Sequence, residues 1–180
     1  NSEKIENRFN IKIDGIPYDK KFVFELPGHN LEPSEIGAAF GLVQLKKLHI
    51  NLKKREKNFN LHTKFFKKYE KYFMLPEQLK DSTTGWLAYP LTIKNNAPFT
   101  RTKIQIFLEK KNIQTRVVFT GNILRQPGFK NIKAKKNKNG YPEADKVMKN
   151  GILIACHHGL TKKMISHIHK SIDEFIIKYS

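Results

Sequence analysis

Gly28-His29-Asn30-Leu31-Glu32-Pro33-Ser34-Glu35-Ile36-Gly37-Ala38-Ala39-Phe40-Gly41-Leu42-Val43-Gln44-Leu45-Lys46-Lys47-Leu48 is the stretch that orders the rest of the chain. A loop carrying Pro33 and Ser34 runs into a helical pattern with two apolar stripes. Ile36, Ala39, Phe40 and Val43 form one, and Ala38, Leu42, Leu45 and Leu48 form the other. A single core-facing seam does not account for both, so the spacing predicts a helix buried on two sides. The small residues Gly37, Ala38, Ala39 and Gly41 would let another backbone come close, which fits a domain or subunit interface. A central helix of one core satisfies the same pattern, each glycine then costing about 1 kcal/mol relative to alanine. The pattern alone leaves both readings open.

Upstream, Arg8 to Leu26 alternates weakly around Gly15-Ile16-Pro17-Tyr18-Asp19, which reads as an extended lead-in with a turn. Pro33 suits a first helical turn, and Ser34 or Glu32 can serve the free amides there. Downstream, Leu45 to about Met74 stays helical through Leu48, Leu52, Phe59, Phe66 and Tyr69 or Phe73, a long arm with a break expected near His49 to Leu52. Pro76 ends it, and Asp81 to Gly85 is a turn. Trp86 to Ile93 reads as a strand in which Pro90 argues for an edge or a bulge. Thr100 caps a helix to Lys111 that faces Ile104, Phe107 and Leu108 inward and stops at Asn112. A second strand covers Gln114 to Phe119, a short helix Tyr141 to Asn150 stops at Gly151, and a third strand covers Ile152 to Cys156. Thr161 caps a last helix, Lys162 to Tyr179, whose inner stripe is Met164, Ile165, Ile168, Ile172, Phe175 and Ile176. The expected architecture is a helical arm followed by β-α-β-α-β-α, a small mixed sheet with packed helices of the α/β or α+β class. It divides into a lead-in at 1–32, the two-striped helix with its arm at 33–80, and a small C-terminal α/β domain at 81–180. There is no internal repeat.

The 34 Lys and Arg against 16 Asp and Glu give a formal charge of +18 over 180 residues, which invites a nucleic-acid reading because phosphate contacts release counterions. Only Arg8, Arg55, Arg101, Arg116 and Arg125 are arginines, however, and the lysines are scattered as a compositional bias scatters them. The densest cluster, Lys130 to Lys138, ends at Asn139-Gly140-Tyr141-Pro142 and reads as an exposed loop closed by a turn. Cys156 is the only cysteine, which excludes an internal disulfide and a Cys-based zinc site and fits a cytoplasmic setting. No apolar run approaches the roughly 20 residues of a membrane helix, and no membrane partner is expected. The chain opens without Met, and Asn1 to Ile13 reads like the middle of a longer protein, so a fragment is expected.

His157-His158-Gly159 leaves a strand and precedes a helix, a place where loops carry sites because the scaffold holds them still; a plain strand end and turn is the alternative. Cys156 and His157 point to opposite faces and do not make a nucleophile and base. His167 and His169, two apart on a helix, diverge, so no metal site is expected. The segment from Thr115 to Gly128 holds Arg116 in an apolar strand and Arg125 between Gly and Pro, where a guanidinium can fork onto a phosphate or carboxylate, or serve a structural ion pair. No phosphate-cradling Gly loop, Ser-His-Asp set or paired catalytic carboxylates are present, so no catalytic residue is assigned.

Three segments together, Gly28-His29-Asn30 through Leu48, Thr115-Arg116 through Gly121-Asn122 to Arg125-Gln126-Pro127, and Gly151 through Cys156-His157-His158-Gly159-Leu160, resemble the DegT-type nucleotide-sugar aminotransferases. These are fold type I enzymes of pyridoxal 5'-phosphate, and the latter two segments look most like the sugar 3-dehydratase branch. The resemblance implies the C-terminal portion of such an enzyme, an interface helix plus the small domain, with the cofactor domain and its Schiff-base Lys or catalytic His lying upstream. By motif match, Asn30 would reach across a homodimer to the cofactor phosphate. His29 stands where the family commonly has Tyr, which puts the packing of the partner's site in doubt. Arg116, Arg125, His157 and His158 match positions near the sugar-nucleotide region and are taken as candidate substrate-binding residues.

The expected function is therefore that of part of a nucleotide-sugar aminotransferase or 4-keto-6-deoxysugar 3-dehydratase in deoxysugar and surface-polysaccharide biosynthesis, inactive by itself. The rivals are a basic nucleic-acid-binding module and a non-catalytic half-enzyme that only dimerises.

Overall fold

The computed structural model describes residues 11–13, 16–18, 23, 29, 31, 33–129, 131–133 and 135–180. It divides into two compact units, Asn1–Gln44 and Leu45–Ser180. In the first, β1 (Ile11–Ile13) and β2 (Ile16–Tyr18) pair antiparallel, with Ile11 opposite Tyr18. The helix α1 (Glu35–Phe66) begins in the first unit and ends in the second.

Helix α1 runs 32 residues without interruption, so the break expected near His49 to Leu52 is absent. No Pro lies within it, and an isolated Gly costs too little to break a helix that long. Its buried residues are Asn58, Phe59, His62 and Phe66, one stripe confined to its last third. Toward the start both apolar stripes are exposed: Ile36 is 84% and Phe40 66% exposed on one, Leu42 64% and Leu45 63% on the other. Burial on two sides is thus not seen among the described residues.

The helix stops earlier than the sequence suggests. A 3-10 turn follows at Lys67–Tyr69, and what reads as its final turn is β3 (Phe73–Met74). β4 (Ala88–Ile93), β5 (Thr115–Val117) and β6 (Gly151–Ala155) complete a sheet of order β3-β4-β6-β5. Every pairing in it is antiparallel, which replaces the expected mixed sheet and makes the class α+β. Pro90 sits opposite Leu153 of β6, while β3 reaches only Thr92 and Ile93 on the other side. The missing N–H therefore falls where β4 is locally an edge.

Side chains alternate across β4 as the pleat requires, with Tyr89, Leu91 and Ile93 buried and Ala88, Pro90 and Thr92 half-buried on the opposite face. The buried face joins Ile152 and Ile154 of β6 to Phe59 and Phe66 of α1, Ile104 and Leu108 of α2 (Arg101–Lys110), and Ile168, Ile172 and Phe175 of α4 (Lys162–Tyr179). The Tyr89 ring lies 5.3 Å from that of Phe59 and 5.6 Å from that of Phe66, and its hydroxyl donates to Thr63 at 3.2 Å. Both expected threonine caps form: Thr100 accepts from the Lys103 amide and Thr161 from the Met164 amide. Asn112 takes φ 58° just after α2, the left-handed stop that Asn tolerates. The helix α3 (Pro142–Asn150) stops at Gly151 as expected, and that capping residue is also the first of β6. A Cβ there would lie 2.6 Å from the Val147 carbonyl.

Candidate functional site

At one end of the sheet, where β6 leaves and β4 and β5 begin, a cleft of about 400 Å³ opens beside the first turns of α4. Leu87, Ala88, Leu153, Leu160 and Met164 supply apolar wall, and Arg116, His157, His167, Asn112 and Gln114 supply polar groups. Met164, expected in the inner stripe of α4, is 51% exposed and faces this cleft instead. The volume is in the range of small-ligand sites, with few polar groups on an apolar lining.

Arg116 reaches the cleft because it pairs with Leu153, whose side chain shares its face of the sheet. His157 reaches it from the turn after β6. The Gly159 amide donates to His157 Nδ1 at 3.1 Å, so the neutral ring carries its proton on Nε2. His167 donates through Nε2 to the Lys111 carbonyl at 2.9 Å, which ties α4 to the end of α2. A guanidinium and an imidazole N–H over an apolar floor can hold a phosphate whose organic part lies on the aliphatic wall.

The other candidates fall elsewhere. His158 turns away from its neighbour, its ring at 82° to that of His157, and lines a second cleft with Lys54, Lys57 and Lys162. Arg125 is committed to Asp145: its Nη2 donates to Oδ2 at 2.6 Å and its Nε to Oδ1, while Asn122 adds a donor at 2.7 Å. These bonds, Arg125 foremost, hold the Asp145 carboxyl down to about 2. The ion-pair alternative is the one that describes Arg125, and the pair fixes the turn after β5 against α3. His29 is exposed, and Asn30 lies outside the described residues. Among the described residues no group of three or more His, Cys, Asp or Glu could hold a metal ion, and no helix is long and apolar enough to cross a membrane.

Sequence reasoning passed over Arg55, Asn58 and His62 of α1. They meet the end of β6: His62 Nε2 donates to the Ala155 carbonyl at 3.1 Å, and Asn58 Nδ2 to the His157 carbonyl at 2.9 Å. Arg55 lies 3.5 Å from His158 Nδ1, and its carbonyl accepts from the Cys156 thiol at 3.7 Å. Burial pushes that thiol up to about 12, so it is inert. A row of polar residues at i, i+3 and i+7, next to the apolar Leu52, Phe59 and Phe66, is the signal that was available.

Residues 1–173 match the model of the DegT/DnrJ/EryC1/StrS aminotransferase family. The chain belongs to that family. It is 31% identical over 175 residues to a dTDP-4-dehydro-2,6-dideoxy-D-glucose 3-dehydratase of Saccharopolyspora spinosa, covering 96% of this chain and 37% of that protein. It is 29% identical over 170 residues to the lipopolysaccharide biosynthesis protein RfbH of Salmonella typhimurium, covering 93% and 39%. Among solved structures, the Escherichia coli GDP-4-keto-6-deoxy-D-mannose-3-dehydratase with bound hydrated PLP superposes with a TM-score of 0.76 at 26% identity, over 84% of this chain and 38% of that one. An aminotransferase from Psychrobacter cryohalolentis reaches the same TM-score of 0.76 at 19% identity over 94% of this chain, a likeness of fold. The chain thus spans less than two fifths of the curated relatives it matches, 37% and 39% for the first two, and corresponds to a C-terminal part of the fold type I architecture.

Proposed function

We propose that this chain is the C-terminal portion of a pyridoxal-phosphate-dependent enzyme that removes the C3 hydroxyl of a nucleotide-linked 4-keto-6-deoxysugar, in the making of deoxysugars for surface polysaccharides. The observation that carries the reading is the meeting of Arg116 and His157 over one cleft in a chain whose relatives include 3-dehydratases of dTDP- and GDP-sugars. A related 3-dehydratase variant has been solved with bound GDP-perosamine, at 25% identity and a TM-score of 0.75. Amino transfer is the second reading, supported by a 26% identical dTDP-4-amino-4,6-dideoxy-D-glucose transaminase of Escherichia coli.

The cleft does not fit the whole cofactor. None of its lining residues is a carboxylate that could meet a pyridinium nitrogen or a lysine that could form a Schiff base. It fits the phosphate-bearing substrate, so the cofactor is assigned to sequence outside this stretch, and the stretch alone is inactive. Asn30 and His29 would stand at the cofactor phosphate of a partner subunit, with the exposed stripes of α1 forming the homodimer seam. A cytoplasmic location accords with this chemistry.

The test is titration of the chain with GDP and dTDP, followed by NMR, beside Arg116→Gln. Saturable binding that weakens about ten- to a hundredfold in the variant is expected from loss of a charge-assisted phosphate contact. Absence of nucleotide binding, with RNA bound in a steeply salt-dependent way, would favour the basic-module reading that the charge of +18 supports. Purification of the polypeptide encoded by the whole gene, with the cofactor's absorbance as readout, tests the parent activity.

A further inference from the structure

The turn that carries His157 lies at the limit of the sheet, where the β4–β6 ladder ends at Ala88 opposite Ala155. Two carbonyls there, of Ala155 and His157, accept hydrogen bonds from His62 and Asn58 of α1, about a hundred residues away in sequence. Both donors are buried, Asn58 at 6% exposure and His62 at 0%. Polar side chains are seldom buried unless a partner is supplied, and here the partners are the backbone groups on either side of Cys156. Two bonds of about 3 Å straddling one residue fix both the place and the direction of the chain as it leaves β6.

We propose that Asn58 and His62 are positioning residues for the cleft, holding the exit of β6 so that His157 presents its Nε2–H beside Arg116. The proposal rests on the reading that this cleft receives the phosphate-bearing part of a nucleotide. The chain of contacts is short: Asn58 holds the His157 carbonyl, the turn closes with Leu160 N on that same carbonyl at 3.3 Å, and the Gly159 amide then meets His157 Nδ1. Gly159 has little spare room, since a Cβ on it would come 3.1 Å from that ring nitrogen. A small displacement of the turn therefore releases the ring and lets its proton redistribute between the two nitrogens.

The test uses the full chain labelled with ¹⁵N-histidine, GDP as probe, and the variants Asn58→Leu, His62→Leu and His62→Gln. Leucine removes each donor while filling the space, whereas glutamine can still donate to the Ala155 carbonyl. Expected are mixed-tautomer ¹⁵N shifts for His157 and GDP binding weakened about three- to tenfold in both leucine variants, with His62→Gln restoring both. Should Asn58→Leu not fold, Asn58→Ser shortens the side chain away from the carbonyl without demanding apolar repacking. A folded Asn58 variant whose His157 shifts match those of the unaltered chain overturns the positioning role, even where GDP binds. GDP binding indifferent to Arg116→Gln overturns the cleft as the nucleotide site, while a tautomer change in Asn58→Leu would still uphold the positioning.

Discussion

Gly121 shows how narrowly the turn after β5 is specified. Its φ is +62°, and a Cβ would lie 2.5 Å from the Met148 side chain and 2.8 Å from the Met148 Cα. Gly121→Ala combines an unfavourable backbone region with overpacking and should cost about 2–3 kcal/mol in urea melts. Arg116→Gln, on an exposed strand residue, should leave that same midpoint within about 0.5 kcal/mol while weakening nucleotide binding. At this scale the sequence was partly legible. Arg116 stood out as a guanidinium within an apolar strand and His157 as the turn after one, and both line the same cleft. For Arg125 the choice between a ligand and an ion pair could not be read locally, because its partner Asp145 lies twenty residues away in another element and no spacing reveals such a pair. His62 was missed because a histidine in a charged helical run is indistinguishable from a solvated one until the facing strand end is known.

Between elements, α1, β6 and α4 share an imidazole pair, His62 buried and His169 half-buried. His62 Nε2–H is spent on the Ala155 carbonyl, so its Nδ1 accepts from His169 Nε2 at 3.0 Å. Phe65 stacks on His169 at 3.9 Å, and Asp173 and Lys68 flank it. Burial above all lowers both histidines from 6.5 to about 4. Both stay neutral in the folded protein at pH values where the unfolded chain binds protons. The stability they contribute is whole above pH 6.5, falls as pH drops toward 4 and levels off below. The two are coupled and His169 is partly open to solvent, so the expectation is a direction: the urea midpoint falls as pH is lowered from 7 to 4. His62→Gln should flatten the slope. The elements themselves were legible where periodicity was long, as in α2 and α4 with their threonine caps. They were illegible where a strand has only two residues: Phe73–Met74 continues the apolar spacing of α1, and only pairing with Thr92 and Ile93 makes it β. Strand direction was not legible either, since the connections between these short strands carry no mark of parallel or antiparallel pairing.

For the whole molecule, the two-striped pattern left an interface helix and a central core helix both open, and the exposure of both stripes at the start of α1 speaks against the core helix. Exposed Ile36, Phe40, Leu42, Val43, Leu45 and Leu48 on consecutive turns exceed the scattered apolar exposure usual for a monomer surface. Phe40→Glu with Val43→Glu should abolish concentration-dependent self-association in sedimentation velocity and leave the fold of Leu45–Ser180 unchanged. Self-association that persists in the double variant, or a wild-type chain that stays monomeric, would count against the proposed homodimer seam.

A helix of 32 residues extends about 48 Å at the α-helical rise, farther than any single core of this size can cover. Among the described residues, its buried positions, Asn58, Phe59, His62 and Phe66, all lie in the final turns, against aromatic rings and the strand beneath. Amide protons along the rod should therefore exchange with deuterium in a gradient, rapidly ahead of Leu48 and at the rate of global opening near His62. Whatever comes to rest on the fast-exchanging turns will register as slowed exchange there, which makes the rod its own reporter of assembly.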